Sequence, residues 1–180
     1  MPPSAARVAG PARVVGPARV VGRVRRRRWD KQPTDPASVL IASTGEPIPP
    51  AAVSRAVALS GGQPVAVVSI ARIYGYAMGL PNPGLMPTQK ELGTQHERVA
   101  RAIAAIEQAG AGGWGQVAAT RRPGRTIARV AGARGVRHVV LVAPSQPRWR
   151  RIIEGDLMRE VRRRLSPDTT IETVTPGPRP

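Results

Sequence analysis

The sequence predicts an α/β fold: a five-stranded parallel sheet with helices on both faces, layered as a three-layer sandwich. Three observations lead there. Between Ser38 and Thr175, short β-branched runs that read as buried strands alternate with longer segments whose apolar residues recur at helical spacing. Glycines and prolines punctuate the boundaries between them. The resulting order, βαβαβαβαβ, requires right-handed crossovers, which place helices on both faces of one sheet.

Each element has its own signal. VLIAST (39–44) is a short buried strand. PPAAVSRAVALSGG opens with prolines, carries Val53, Ala56, Val57 and Ser60 at helical spacing, and stops at Gly61-Gly62. PVAVVSI (64–70) is the second strand, followed by a loop dense in glycine and proline. Thr88-Gln89-Lys90-Glu91 fits a capping box, with Thr88 as N-cap and Glu91 reaching back. The helix it opens places Leu92, His96, Val99, Ile103 and Ile106 on one face, against the sheet, and ends at Gly110. WGQVAATR (114–121), RTIARVAGARG (125–135) and RHVVLVA (137–143) read as strand, helix and strand. GDLMREVRRRL (155–165) is a fourth helix, and TTIETVT (169–175) alternates polar and apolar residues as an edge strand does.

Ligands of such sheets bind beyond the carboxyl ends of the strands, where strand order reverses. For five strands in this arrangement that crevice falls between the first and fourth. Two loops border it: Ser43-Thr44-Gly45 after the first strand, and the stretch APSQPRWRRIIEGD after the fourth. The second loop leads into an arginine-rich helix, and strand-to-helix junctions of this kind commonly cradle phosphate on backbone N–H groups.

The quoted stretches VLIASTGEP and VLVAPSQPRWRRIIEGDLMREV, with the element order and the long loop and helix after the second strand, resemble the universal stress protein family over about Ser38 to Thr175. That resemblance implies a Rossmann-like fold and an adenine-nucleotide site, ATP or AMP, at Thr44, Gly45, Ala143, Ser145, Arg148, Arg151, Gly155 and Asp156. The chain departs from the family pattern where the phosphates would sit. Thr44 stands in place of aspartate, Ala143 and Gln146 in place of paired glycines, and Asp156 in place of serine or threonine. Glutamine and the flanking Pro144 and Pro147 block or remove backbone donors. Asp156 suits the N-cap of a helix and occupies the place of a phosphate. Arg148, Arg150 and Arg151 can instead hold phosphate through their side chains, with Trp149 placed to stack on a base.

Composition bounds the function. The 180 residues suffice for one domain. There is no cysteine, which excludes disulfides, thiolate metal sites and a catalytic thiol. His96 and His138 fall on different elements, and no catalytic constellation is evident, so the expectation is a non-enzyme with no metal. A net charge of +17, with 28 Lys+Arg against 11 Asp+Glu, points to an anionic partner, nucleotide or nucleic acid. No apolar run approaches the ~20 residues of a membrane span, and the default location is the cytoplasm. Residues 1–37 form a basic tail with a three-fold repeat, ARVAGP, ARVVGP, ARVVGR, expected to be disordered, as are residues 176–180; the domain is expected to span 38–175. The basic tail and the last helix together offer a nucleic-acid-binding alternative. The last strand, with exposed backbone groups to cover, predicts a homodimer through that edge.

Overall fold

A computed structural model of the chain describes residues 36–73, 87–142 and 157–175. The elements, in chain order, are β1 (Val39–Ser43), α1 (Pro50–Ser60), β2 (Val65–Arg72), α2 (Gln89–Gln108), β3 (Gly113–Thr120), α3 (Pro123–Ala133), β4 (His138–Val142) and β5 (Thr170–Val174). Residues 157–162 are also helical. The strands form one sheet in the order β3-β2-β1-β4-β5, and all four pairings are parallel. The predicted α/β class and the predicted reversal between the first and fourth strands are both present.

Alternation along the strands sorts the core into two halves. Leu40, Ala66, Val68, Val139 and Leu141 face α3 and the 157–162 helix, where they meet Ile127, Val130 and Val161. Val39, Ile41, Val65, Val67, Val140 and Val142 face α1 and α2, where they meet Val53, Val99, Ile103 and Ile106. β1 is buried at every position because it sits mid-sheet under helices on both sides.

The helix ends follow local chemistry. α1 begins with proline in its first turn and ends at Gly61, which adopts φ 56°, a conformation that favours glycine. α2 has the complete capping box: Thr88 Oγ1 accepts from the Glu91 N–H at 3.2 Å, and Glu91 Oε2 accepts from the Thr88 N–H at 2.7 Å. The backbone donor at Thr88 holds the Glu91 carboxyl below the usual carboxylate range. α3 has proline in its first turn and no side-chain cap.

Several boundaries shift by one to three residues from the sequence reading. β2 continues through Ala71 and Arg72, because β3 offers it a partner as far as Thr120. α3 starts at Pro123 rather than Arg125, since proline is well placed at the first helical position. The last helix is helical only to Arg162 and then turns through residues 163–165. On α2, Val99, Ile103 and Ile106 are buried, while Leu92 and His96 at the start of the same stripe are half-buried. Ala37 is buried and its N–H donates to the Arg134 carbonyl at 3.4 Å. Most of the basic tail and the residues after 175 lie outside the described residues.

β5 is an edge strand, as predicted. Its one acid does not guard that edge, because Glu172 accepts two hydrogen bonds from Arg55 of α1, at 2.6 and 2.7 Å. This bond holds the Glu172 carboxyl below its ordinary range and raises Arg55.

Candidate nucleotide crevice

The described part of the crevice is built where β1, β2 and β4 end. Ser43 closes β1, and its hydroxyl donates to the Glu46 carbonyl at 2.6 Å, folding the next three residues into a tight turn. Within that turn Gly45 takes φ 98°, which L side chains rarely adopt. A side chain there would also approach Gln95 Nε2 at 3.6 Å and the Ile70 carbonyl at 3.7 Å. Gly45 is therefore required by backbone conformation at the mouth of β1. Thr44, beside it, is half-buried.

The turn is fastened from outside by α2. Gln95 Nε2 donates to the Gly45 carbonyl at 3.3 Å, and Arg98 donates to the same oxygen. Gln95 Oε1 in turn accepts from the hydroxyl of Ser69, a buried residue on β2, at 2.6 Å. One chain of hydrogen bonds thus joins Ser69, Gln95, Gly45 and Arg98, and ties the ends of β1 and β2 to the first half of α2. Cooperative networks of this kind hold a loop in one arrangement.

Gln95 and Arg98 escaped the sequence reading. The signal was present for Gln95: it sits four residues before Val99, a polar side chain beside the apolar stripe of an amphipathic helix. Of the eight candidate residues, the structure places Thr44 and Gly45 together at the crevice. Ala143, Ser145, Arg148, Arg151, Gly155 and Asp156 lie outside the described residues.

Several polar groups of the described wall are already engaged in hydrogen bonds. The hydroxyls of Ser43 and Ser69 both donate to oxygen acceptors. His96 Nδ1 donates to the Leu92 carbonyl at 2.7 Å. The start of α1 is a poor phosphate cradle, since Pro49 and Pro50 have no N–H and the Ala52 and Val53 N–H groups donate to the Pro49 carbonyl. Among the described residues no group of three histidines, acids or cysteines could hold a metal, and no helix is long and apolar enough to cross a membrane. A separate hollow of about 270 Å³ opens at the other end of the sheet, between Val136, Leu165 and Thr169, away from the crevice.

A parallel sheet whose strand order reverses between β1 and β4, with a fastened turn at that point, defines a protein of the doubly wound α/β class. Within that class the fold is that of the universal stress proteins. A universal stress protein from Archaeoglobus fulgidus matches with a TM-score of 0.54 at 15% identity, covering 77% of this chain and 93% of that one. The universal stress protein from the same organism in complex with dAMP matches with a TM-score of 0.50 at 16% identity, covering 77% and 98%. A universal stress protein in complex with cAMP matches with a TM-score of 0.51 at 16% identity, covering 78% and 98%. No protein-family model and no curated protein matches the sequence.

Proposed function

We propose that this chain is a non-catalytic, cytoplasmic regulatory protein of the stress-response type, which takes an adenine mononucleotide weakly in the crevice between β1 and β4. The observation that carries the reading is the Gly45 turn, preset by Ser43 and fastened by Gln95 and Arg98. A preset turn offers a base or ribose a surface of fixed shape without further ordering. A triphosphate needs many backbone donors, and the α1 terminus with its two prolines supplies few. The solved structures with dAMP and cAMP, each carrying one phosphate group, support this preference. Arg148 and Arg151, with Ser145, are the proposed phosphate contacts.

Isothermal titration calorimetry with AMP, cAMP and Mg-ATP tests the reading. AMP or cAMP should bind more tightly than Mg-ATP, and Arg148→Ala should weaken that binding more than Asp156→Ser. A Kd near 1 µM for Mg-ATP, about −8 kcal/mol, would overturn it, as would phosphate release from ATP.

The proposed assembly is a homodimer through β5. Glu172 is engaged by Arg55, so the edge keeps no free acid to repel a second copy, and a two-fold pairing would satisfy its open N–H and C=O groups. Light scattering at micromolar concentration should give a dimer mass, and Val174→Pro should give a folded monomer. A monomer mass for the unaltered protein sinks this assembly.

A further inference from the structure

The two helical layers carry very different charge. The segments on one face, 46–60 and 88–111, contain four basic residues and four acids. On the other face, residues 121–137 contain six arginines and no acid, and residues 157–168 contain four arginines against Glu160 and Asp168. We infer that this arginine face, formed by α3 and the 157–162 helix, docks on the phosphate backbone of double-stranded DNA without reading its sequence.

The geometry makes one surface of the two helices. A Cβ on Gly124 of α3 would lie 2.4 Å from Glu160 Oε2 and 2.9 Å from Glu160 Cβ, so the two segments touch without a gap. Arg122, Arg125 and Arg129 are exposed and follow one stripe along α3, opposite its buried Ile127, Val130 and Ala131. That stripe is about 10 Å long at the helical rise of ~1.5 Å per residue, or roughly three base-pair steps. Arg159 and Arg163 form a second exposed stripe, and the Arg163 N–H donates to the Arg159 carbonyl, which continues the helical spacing past residue 162.

The chemistry of the face selects among anionic partners. Its exposed positions carry no large apolar residue of the kind that inserts into a lipid interface. The one aromatic ring near it, Trp114, is covered by the Arg134 guanidinium at 4.3 Å, so among the described residues it has no platform for unpaired bases. The one exposed hydroxyl of these two segments, Ser166, faces Asp168 at 3.5 Å and no amide side chain is exposed there, so they offer little to a ribose 2′-OH. Guanidinium groups alone suit the backbone of duplex DNA. Arg122 and Arg125 also stand at the start of α3, where the helix dipole disfavours cations, and a phosphate partner reverses that cost. The inference rests on the whole face and is independent of the crevice.

Fluorescence anisotropy of the full chain with a labelled mixed-sequence DNA duplex of about 20 base pairs, two helical turns, tests this across a salt series. The triple variant Arg122→Gln, Arg125→Gln, Arg129→Gln should weaken binding by about tenfold or more and lower the salt slope by about 3. A control on the other face, Lys90→Gln with Arg101→Gln, should change affinity by less than about threefold, the level of bulk charge alone. Circular dichroism melts verify folding; should the triple variant melt, Arg159→Gln with Arg163→Gln serves in its place. An equal loss per charge removed from either face, no binding by the unaltered chain at low salt, or tighter binding of single strands or duplex RNA would overturn the inference. So would phosphatidylserine vesicles bound with the same dependence on the α3 arginines.

Discussion

The layer of α1 and α2 and the layer of α3 and the 157–162 helix cover one sheet by different means. α2 follows the rules for a helix start, with a capping box and an acid in its first turn, and its charges cancel along its length. α3 breaks them, with arginine at its N-cap, no side-chain cap and no acid in its first turn. Yet both layers bury their apolar faces to the same extent, with Ile103 and Ile127 each fully inside. Burial holds both layers to the sheet, and local helix chemistry is an adjustable supplement. α1, with no side-chain cap and no acid in its first turn, is held by burial in the same way as α3.

That contrast can be broken at its strongest point first. Ile103→Ala and Ile127→Ala should each cost about 2–5 kcal/mol in urea unfolding. A small loss for Ile127→Ala alone would show that the arginine layer is loosely held and that the two layers are not equals in burial.

Close approach comes next. A Cβ on Gly115 of β3 would lie 2.5 Å from Val99 Cγ1 and 3.1 Å from both Ile103 Cδ1 and the Val67 carbonyl, against branched and backbone atoms that cannot swing away. Gly115→Ala should therefore cost about 1–3 kcal/mol. Gly124→Ala on the other layer meets Glu160, whose carboxylate can turn outward, leaving one fixed atom, Cβ at 2.9 Å, in the way, and should cost less. The reverse ranking, read from denaturant midpoints, would make the α3 contact the tighter one.

Caps sharpen the comparison further. Thr88→Ala should destabilise by about 1 kcal/mol, whereas Arg122→Ser supplies the missing cap and should stabilise by about 0.5–1 kcal/mol. The same Arg122→Ser change should weaken DNA binding. If it leaves stability unchanged, the end of α3 is satisfied by groups other than a cap.

The smallest effect is one of pH. Glu91 and Glu172 have folded pKa values below the unfolded carboxylate value of about 4.3. Between those values the unfolded chain holds the extra proton, so their stabilisation is present above pH ~4.3 and fades as pH falls through the folded pKa. Both bonds tie to α1 or α2. Glu172→Gln should flatten the acid limb of a melting-temperature profile, and an unchanged limb would remove the Arg55 bond from the account.

The sequence made the sheet order and the capping box legible, because each depends on residues near one another in the chain or on a topological rule. Strand boundaries were less visible: Ala71 and Arg72 carry no strand signal of their own and are extended because β3 lies alongside. The crevice was half legible. Gly45 announced itself as the glycine after a buried strand, but the donors that fasten it come from Gln95 and Arg98, 50 and 53 residues away. Arg55 and Glu172 are 117 residues apart, and no local pattern joins them. Such contacts exist only once two elements have been laid side by side.

The central place of β1 also sets a schedule for the chain as it is made. Val39 pairs with Val65 on one side and with His138 on the other, so the second partner is synthesised about a hundred residues after β1. At ~5–20 residues per second, that interval lasts from about 5 to 20 s. Throughout it, an apolar strand with an open row of backbone groups waits beside a half-built sheet. The nascent chain is at its most aggregation-prone then, and a chaperone that covers β1 until β4 has emerged would raise the yield of folded protein more than one that acts after release.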